Sequence, residues 1–203
     1  MVTSFEAYGK WKINPTEVAI KELDGQTIHL KEKQVSIIGK VIPARFRDIK
    51  DVINRLIAEI RPDGVILTGQ SGGSKIRIER TAKNFVKTKI PYNCGTTKSG
   101  EQLEIDGPNL YESNLPVNAI LSKLEEKNVP VELSDDAGSF GCNQIFYQVR
   151  NKNPNLAAGL IHVPLLPSQT EGQKFMDQET ITLAIKLSLI VLSEYLEQNK
   201  PLL

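Results

Sequence analysis

Two spacings of apolar residues recur along the chain, and each predicts one type of element. Aliphatic residues of "DIKDVINRLIAEI" fall at helical spacing, and "PVNAILSKLEEKN", "GCNQIFYQVRN" and residues 178–198 also predict helices. In "NPTEVAIKEL", Asn14 is expected to cap a helix, with Pro15 in the first turn and Glu17 completing a capping box. The short apolar runs "GVILTG", "VPVEL" and "AAGLIHV" are typical of buried strands.

Other stretches carry weaker patterns. "QTIHLKEKQVSIIGKVI" predicts two strands around a charged turn. In "KIRIERTAKNF", Ile76 and Ile78 alternate with charged residues, which predicts an extended segment. Residues 86–115 show little periodicity and predict a long polar connection, and loops of that length inside compact domains are often functional.

The order of the elements predicts the fold class. Helices alternate with short apolar strands, which favours an α/β fold, a three-layer α/β/α sandwich with a mostly parallel central sheet. No repeat or linker divides the chain, so a single domain is expected over residues 1–203. Ligands bind outside the carboxyl ends of the strands in such sheets, here "LTGQSGG", "VELSDDAGSFGC" and "IHVPLLP".

Composition and charge narrow the partners and the compartment. Lys and Arg total 25 against 24 acidic residues, which gives no electrostatic case for a nucleic-acid or membrane partner. The start lacks the features of a signal peptide. The most apolar stretch, "ITLAIKLSLIVL", contains Lys186 and is too short for a span of about 20 residues. A cytoplasmic protein is therefore expected, with Cys94 and Cys142 as free thiols.

Cys142 is the first candidate for chemistry. On its predicted helix it shares an apolar stripe with Ile145, Phe146 and Val149, which favours an inert, buried thiol. The turn before it, "DDAGSFG", favours a reactive one. In the first turn of a helix, the dipole stabilises a thiolate and free backbone N–H groups can hold an oxyanion.

A thiol nucleophile needs a base, and the chain has two histidines. His29 lies in a charged strand region, whereas His162 lies in an apolar strand that leads to the functional edge of the sheet. A Cys–His pair is the minimum apparatus for acyl transfer. A carboxylate should orient the imidazole, and spacing leaves Asp135, Asp136 and Glu79 open for that part.

Two competing motifs are weaker. "GQSGGSK" departs from the phosphate-binding loop pattern because Ser74 stands where the pattern requires glycine. No cluster of His, Cys and Asp has the spacing of metal ligands, so no metal site is expected.

Five segments, in order, carry a family resemblance: "SFEAYGKWKINPTE", "TGQSGG" with "IERTAKN", "GPNLYESNLPVNAI", "DAGSFGCN" and "IHVPLLPSQ". Together they resemble the type I pyrrolidone-carboxylate peptidases, also called pyroglutamyl peptidase I, over most of the chain. The resemblance implies a cysteine peptidase that removes an N-terminal pyroglutamyl residue from peptides. It implies Cys142 as nucleophile, His162 as base and Glu79 as the residue that orients the histidine. It also implies an α/β/α sandwich, no metal or organic cofactor, and a homotetramer.

The pocket follows from the same resemblance. A pyroglutamyl residue is a neutral lactam without a free α-amine, so a mostly apolar site with a few polar contacts is expected. Phe5, Tyr8 and Phe140 are expected to enclose the ring, with hydrogen bonds from Gln70 and nearby backbone groups.

Five positions depart from the family pattern, and one of them is Ser74, which stands where an arginine is usual. Tyr8 carries a phenol where a phenyl ring is usual, and Gly141 stands where a bulky apolar residue is usual, which predicts a roomier pocket. Lys89 replaces an arginine of the oxyanion region, and Tyr92 replaces an acid nearby. These departures leave two alternatives, a hydrolase of the same fold for another small amide and a binding homologue without turnover.

Overall fold

A six-stranded sheet lies at the centre of the computed structural model, which describes residues 1–172 and 174–199. The helices around the sheet are α1 (Pro15–Leu23), α2 (Phe46–Ile60), α3 (Val117–Glu126), α4 (Gly141–Lys152) and α5 (Gln178–Gln198). The strands are β1 (Val2–Phe5), β2 (Thr27–His29), β3 (Gln34–Ser36), β4 (Gly39–Ile42), β5 (Gly64–Gln70), β6 (Ile76–Glu79), β7 (Thr81–Lys83), β8 (Val86–Lys87), β9 (Ser99–Glu101), β10 (Leu110–Glu112), β11 (Val131–Ser134) and β12 (Ala157–Val163).

The central sheet has the strand order β11-β6-β12-β5-β1-β4. Neighbouring strands are parallel except at the junction of β6 and β12, where they are antiparallel. The predicted α/β fold with a mostly parallel sheet is therefore confirmed. One detail differs from the prediction that the three strand ends lie at one edge of the sheet. β11 is antiparallel to β12, so the carboxyl ends of β11 and β12 lie at opposite edges. Ser134 lies beside Glu79, which is opposite Leu160.

Helices cover both faces of the sheet. On one face, α5 packs against α1 and α3, and on the other α2 packs against α4. Side chains alternate along the strands, so Ile161 joins the core under α5 while Leu160 joins the core under α4. By the same alternation, His162 is directed towards α4.

The strongest local signals match the structure. The side chain of Asn14 caps α1 by accepting a hydrogen bond from the Thr16 N–H at 3.1 Å, with Pro15 in the first turn. The predicted capping box is not formed, because the side chain of Glu17 does not bond to the N-cap residue. It pairs instead with Lys21 at 2.7 Å, one turn further on.

The region of residues 27–42 contains three strands where two were predicted. β2 and β3 form a separate hairpin with exposed ends, and β4 enters the central sheet beside β1. Gly39 is the first residue of β4, and its N–H donates to Asp24 Oδ1 at 2.8 Å. A Cβ at Gly39 would lie 2.7 Å from the carbonyl oxygen of Ile20 in α1, so only glycine allows β4 to lie this close to α1.

Residues 86–115 are more ordered than their lack of periodicity predicted. β8 pairs with β9, and β10 pairs with β7. The buried side chain of Asn84 holds the segment by accepting from the N–H groups of Leu103 and Glu104 and donating to the carbonyl of Gly107. Two short strand pairings and one amide side chain supply the order here, and such contacts leave little periodic signal in the sequence.

Candidate active site

Two neighbouring strands bring His162 and Glu79 together on the face covered by α4. The antiparallel register sets Glu79 opposite Leu160, two residues from His162 on the same face. His162 Nδ1 donates a hydrogen bond to Glu79 Oε1 at 2.7 Å. The exposed fraction of His162 is 4% and that of Glu79 is 0%. The carboxylate therefore fixes the ring and leaves Nε2 free for chemistry.

Cys142 is the second residue of α4 and is 6% exposed. The turn before it is shaped by Gly138, which has φ of 77° and donates its N–H to Asp136 Oδ1. No side chain caps the start of α4, where Phe140 is the N-cap residue. Backbone N–H groups beside the thiol are thus available to an oxyanion. The predicted apolar stripe is also present, since Cys142 belongs to the same core as Phe146.

Gly69 makes the approach of sulfur and imidazole possible. It lies opposite His162 in the pairing of β5 with β12. A Cβ at this position would lie 2.5 Å from Cys142 Sγ and 3.5 Å from His162 Cδ2. The sequence analysis did not single out this residue. Its signal is a glycine inside an apolar strand, which often marks a close approach.

The charges of the site favour a protonated imidazole. Burial lowers the pKa of His162, but the charge and hydrogen bond of Cys142, together with Glu79, outweigh burial and raise this pKa to about 9. Burial also raises the pKa of Tyr8 above its usual range, and the nearby Cys142 adds to that effect.

A small aromatic pocket adjoins the thiol. The residues that line it together with Cys142 are Phe5, Tyr8, Ala44, Ile49, Tyr92, Phe140 and Gly141. The ring of Tyr92 stacks on Phe140 with centroids 4.3 Å apart, and its hydroxyl donates to Gln144 Oε1 at 3.0 Å.

The pocket is closed, which contradicts the roomier site predicted from Gly141. It has no room for a water molecule. A Cβ at Gly141 would lie 3.4–3.6 Å from the side chains of Phe5, Ile49 and Tyr92, so these three side chains occupy the space beside the glycine. The side-chain volume that is absent at Gly141 is therefore supplied by neighbouring side chains.

Two predicted site residues lie outside the lining of this pocket. The backbone carbonyl of Gln70 accepts from the hydroxyl of Tyr8 at 3.3 Å, and its side-chain Oε1 accepts from Gln169. Gln70 Nε2 is buried and has no hydrogen-bond partner among the described residues. Lys89 is exposed between β8 and β9, and no hydrogen bond or ion pair joins it to the rest of the described chain.

The carboxylates that spacing left open have separate partners. Asp135 pairs with Arg80 and Asp136 with Lys83, both at the surface. Glu79 is the carboxylate that contacts His162.

Two further observations concern partners and location. In residues 1–172 and 174–199, no helix combines the length and apolar character needed to cross a membrane. Within the same residues, no three or more His, Cys, Asp or Glu side chains are grouped so that they can hold a metal ion.

A buried thiol at a helix start, an imidazole and a carboxylate on an α/β sheet define the class of the protein as a hydrolase with a thiol nucleophile. The family model described as pyroglutamyl peptidase matches residues 1–195. The chain belongs to this family, which confirms the resemblance seen in the sequence.

Individual relatives agree over nearly the whole chain. A pyrrolidone-carboxylate peptidase of Bacillus subtilis is 32% identical over 98% of this chain and 94% of the relative. The structure of a pyrrolidone carboxyl peptidase from Thermococcus litoralis superposes with a TM-score of 0.91 at 31% identity, over 98% of this chain and 94% of the other. A pyroglutamyl peptidase I from Bacillus amyloliquefaciens gives a TM-score of 0.87 at 30% identity, over 95% and 93% of the two chains.

Proposed function

We propose that this protein hydrolytically removes an N-terminal pyroglutamyl residue from peptides. The observation that carries the proposal is the placement of Cys142 at an uncapped helix start, beside an imidazole that a buried carboxylate holds by its other nitrogen. Membership of the pyroglutamyl peptidase family supports the choice of substrate.

The proposed mechanism assigns one task to each group. His162 Nε2 takes the proton of the Cys142 thiol, and the thiolate attacks the carbonyl carbon of the pyroglutamyl residue. Backbone N–H groups at the start of α4 stabilise the oxyanion. The imidazolium, oriented by Glu79, protonates the departing amine and the C–N bond breaks. Water, deprotonated by His162, then attacks the thioester, and the thiolate leaves with pyroglutamate released.

The oxyanion is assigned to these backbone groups ahead of Lys89. The lysine is exposed, lies outside the lining of the pocket, and has no hydrogen bond or ion pair to the described residues of the site.

The pocket suits a neutral ring. Its lining contains aromatic and aliphatic side chains and no carboxylate or ammonium group among the described residues. The rings of Tyr8 and Phe140 lie 5.5 Å apart, and Phe140 is only half-buried. Because the pocket has no free volume, entry of the lactam requires these rings to separate. The unpartnered Nε2 of Gln70 is a nearby donor for a lactam carbonyl.

A release assay separates the proposal from its alternatives. Pyroglutamyl-coumarin amide is compared with the prolyl and glutaminyl amides at equal concentration, with Cys142→Ala as the inactive control. Preferential turnover of the pyroglutamyl amide supports the proposal. Preference for another amide supports a related hydrolase, and binding without turnover supports a binding homologue.

We also propose a single α/β domain over residues 1–203, although residues 173 and 200–203 lie outside the described residues. It is supported by the central sheet, to which β1 and β12 both contribute. A cytoplasmic location is supported by two unpaired cysteines, which are typical of reducing compartments. A homotetramer rests on the family resemblance alone, and light scattering of the purified protein tests it.

A further inference from the structure

A further charged side chain lies beside the Glu79–His162 pair and has no task in the proposed mechanism. Arg77 precedes Glu79 by two residues on β6, so both side chains project from the same face of the sheet. Arg77 Nε lies 3.5 Å from Glu79 Oε1, the same oxygen that accepts the hydrogen bond of His162. Arg77 is also the residue directly opposite His162 in the sheet.

The burial of Glu79 makes its contact with Arg77 electrostatically important. Arg77 Nε and Glu79 Oε2 are both buried and have no hydrogen-bond partner among the described residues. The side chain of Glu79 has no exposed surface, whereas that of Arg77 is 28% exposed. Ionising a carboxylate away from water is unfavourable unless an opposite charge lies close. Among the described residues, Arg77 is the only permanently charged cation within ion-pair distance of Glu79.

Resting on the proposed function, we propose that Arg77 is a positioning residue: it limits how tightly the Glu79 carboxylate retains the proton on His162. The guanidinium and the imidazolium share one carboxylate oxygen, so each weakens the hold of that oxygen on the other. With Arg77 present, the imidazolium is a stronger acid and releases its proton to the leaving amine more readily. Without Arg77, the whole attraction of the carboxylate acts on the imidazolium.

The other titratable groups around His162 do not replace Arg77. Cys142, at the start of α4, faces the imidazole directly. Tyr8 and Tyr92 lie near Cys142, where burial and the thiol both raise the pKa of each phenol, so these hydroxyls remain neutral.

Asp136 is a second carboxylate on which the charge of Arg77 acts. Asp136 has its own cation, because a hydrogen bond from Lys83 lowers its pKa, with a smaller contribution from Arg77. Among the described residues, no lysine or second arginine lies within ion-pair distance of Glu79, so the charge of Arg77 matters most there.

An NMR titration of His162 tests the proposal without any substrate. The chain has two histidines, so carbon-13-labelled histidine gives two signals, which His29→Ala assigns. The titration is done in a Cys142→Ala background, where the imidazole no longer shares a proton with sulfur. Arg77→Met keeps an aliphatic stem and removes the charge. We expect it to raise the pKa of His162 by about 1 unit, the low end of the effect of a close charge.

Matched variants separate this effect from a general change of charge. Arg77→Lys keeps the charge and should leave the pKa of His162 near that of the parent. Arg80→Met removes a neighbouring arginine that pairs with Asp135 at the surface. This variant should also leave the pKa of His162 unchanged. An unchanged or lowered pKa in folded Arg77→Met overturns the proposal, as does an equal rise in Arg80→Met. Should Arg77→Met fail to fold, Arg77→Gln carries the same prediction.

Kinetics with Cys142 intact give a second measurement. In Arg77→Met, the decline of kcat at high pH should move to higher pH while KM stays unchanged, because the imidazolium keeps its proton longer. A decline that stays in place counts against the proposal. If the parent protein does not release the pyroglutamyl amide at all, the proposed function fails, and the titration still decides the part of Arg77.

Discussion

Replacing Gly69 by alanine should disable the site while leaving the fold intact. The added Cβ would lie 2.5 Å from Cys142 Sγ, whereas non-bonded heavy atoms rest about 3.5–4.0 Å apart. The sulfur must therefore retreat by about 1 Å or more. A shift of β5 offers no escape, because Gly69 pairs with His162 and any movement of the strand disturbs the imidazole too.

The size of the effect follows from this displacement. A misplacement of about 1 Å can cost about 100-fold in rate, or about 2.7 kcal/mol in the activation barrier. Overpacking a core costs about 1–3 kcal/mol of stability, so the variant should fold with a lower Tm. We expect kcat/KM for pyroglutamyl-coumarin amide to fall about 100-fold, and alkylation of Cys142 by iodoacetamide to slow.

Gly72→Ala is the matched control. It lies three residues further on, and a Cβ there meets no atom within 4 Å. It should retain parental kcat/KM and alkylation rate. A folded Gly69→Ala protein with parental values of both would falsify the view that this glycine sets the approach of the sulfur.

Four further predictions follow from the site. Limiting iodoacetamide should modify Cys142 as activity disappears, and Cys94→Ser should retain turnover; mass mapping that finds Cys94 alone modified in inactive protein contradicts the assignment. His162→Ala should nearly abolish kcat and Glu79→Gln should retain more, with far from additive losses in the double variant; parental kcat in folded His162→Ala excludes the dyad. Turnover should decline as pH rises through about 9, where the imidazolium loses the proton that the leaving amine needs; a pH–rate profile that stays flat well above that value is incompatible with this acid. Gly141→Ala should be nearly neutral, because a Cβ meets its neighbours at 3.4–3.6 Å, whereas Gly141→Val should lower kcat/KM for the pyroglutamyl amide by crowding the pocket; equal values for the two variants would show that the rings yield freely.

The sequence predicted the elements whose signals are local. The helix at Gln178–Gln198 and the strand at Ala157–Val163 follow from the spacing of apolar residues alone. The contact of Glu79 with His162 does not, because it depends on the register of two strands that run in opposite directions. Spacing therefore left three carboxylates open, and only the family resemblance chose among them.

Long-range contacts account for what was missed. Gly69 matters because of a sulfur that approaches from another element, and Arg77 because of a carboxylate that it shares with a histidine on the next strand. The closed pocket could not be inferred from Gly141 by itself, since the side chains of Phe5, Ile49 and Tyr92 reach it from distant parts of the chain. Each of these depends on packing between segments, which composition and periodicity do not encode.

The antiparallel junction of β6 and β12 also ties activity to the completion of folding. It joins Glu79 to His162 across 83 positions of the chain, a separation that no hairpin or isolated helix–strand unit can close. Contacts between distant segments form slowly because the loop between them must first lose entropy. A molecule in which β6 has not yet paired with β12 holds a thiol and an imidazole without the carboxylate. Full turnover during refolding should therefore report the pairing of β6 with β12, whereas circular dichroism reports the formation of the helices.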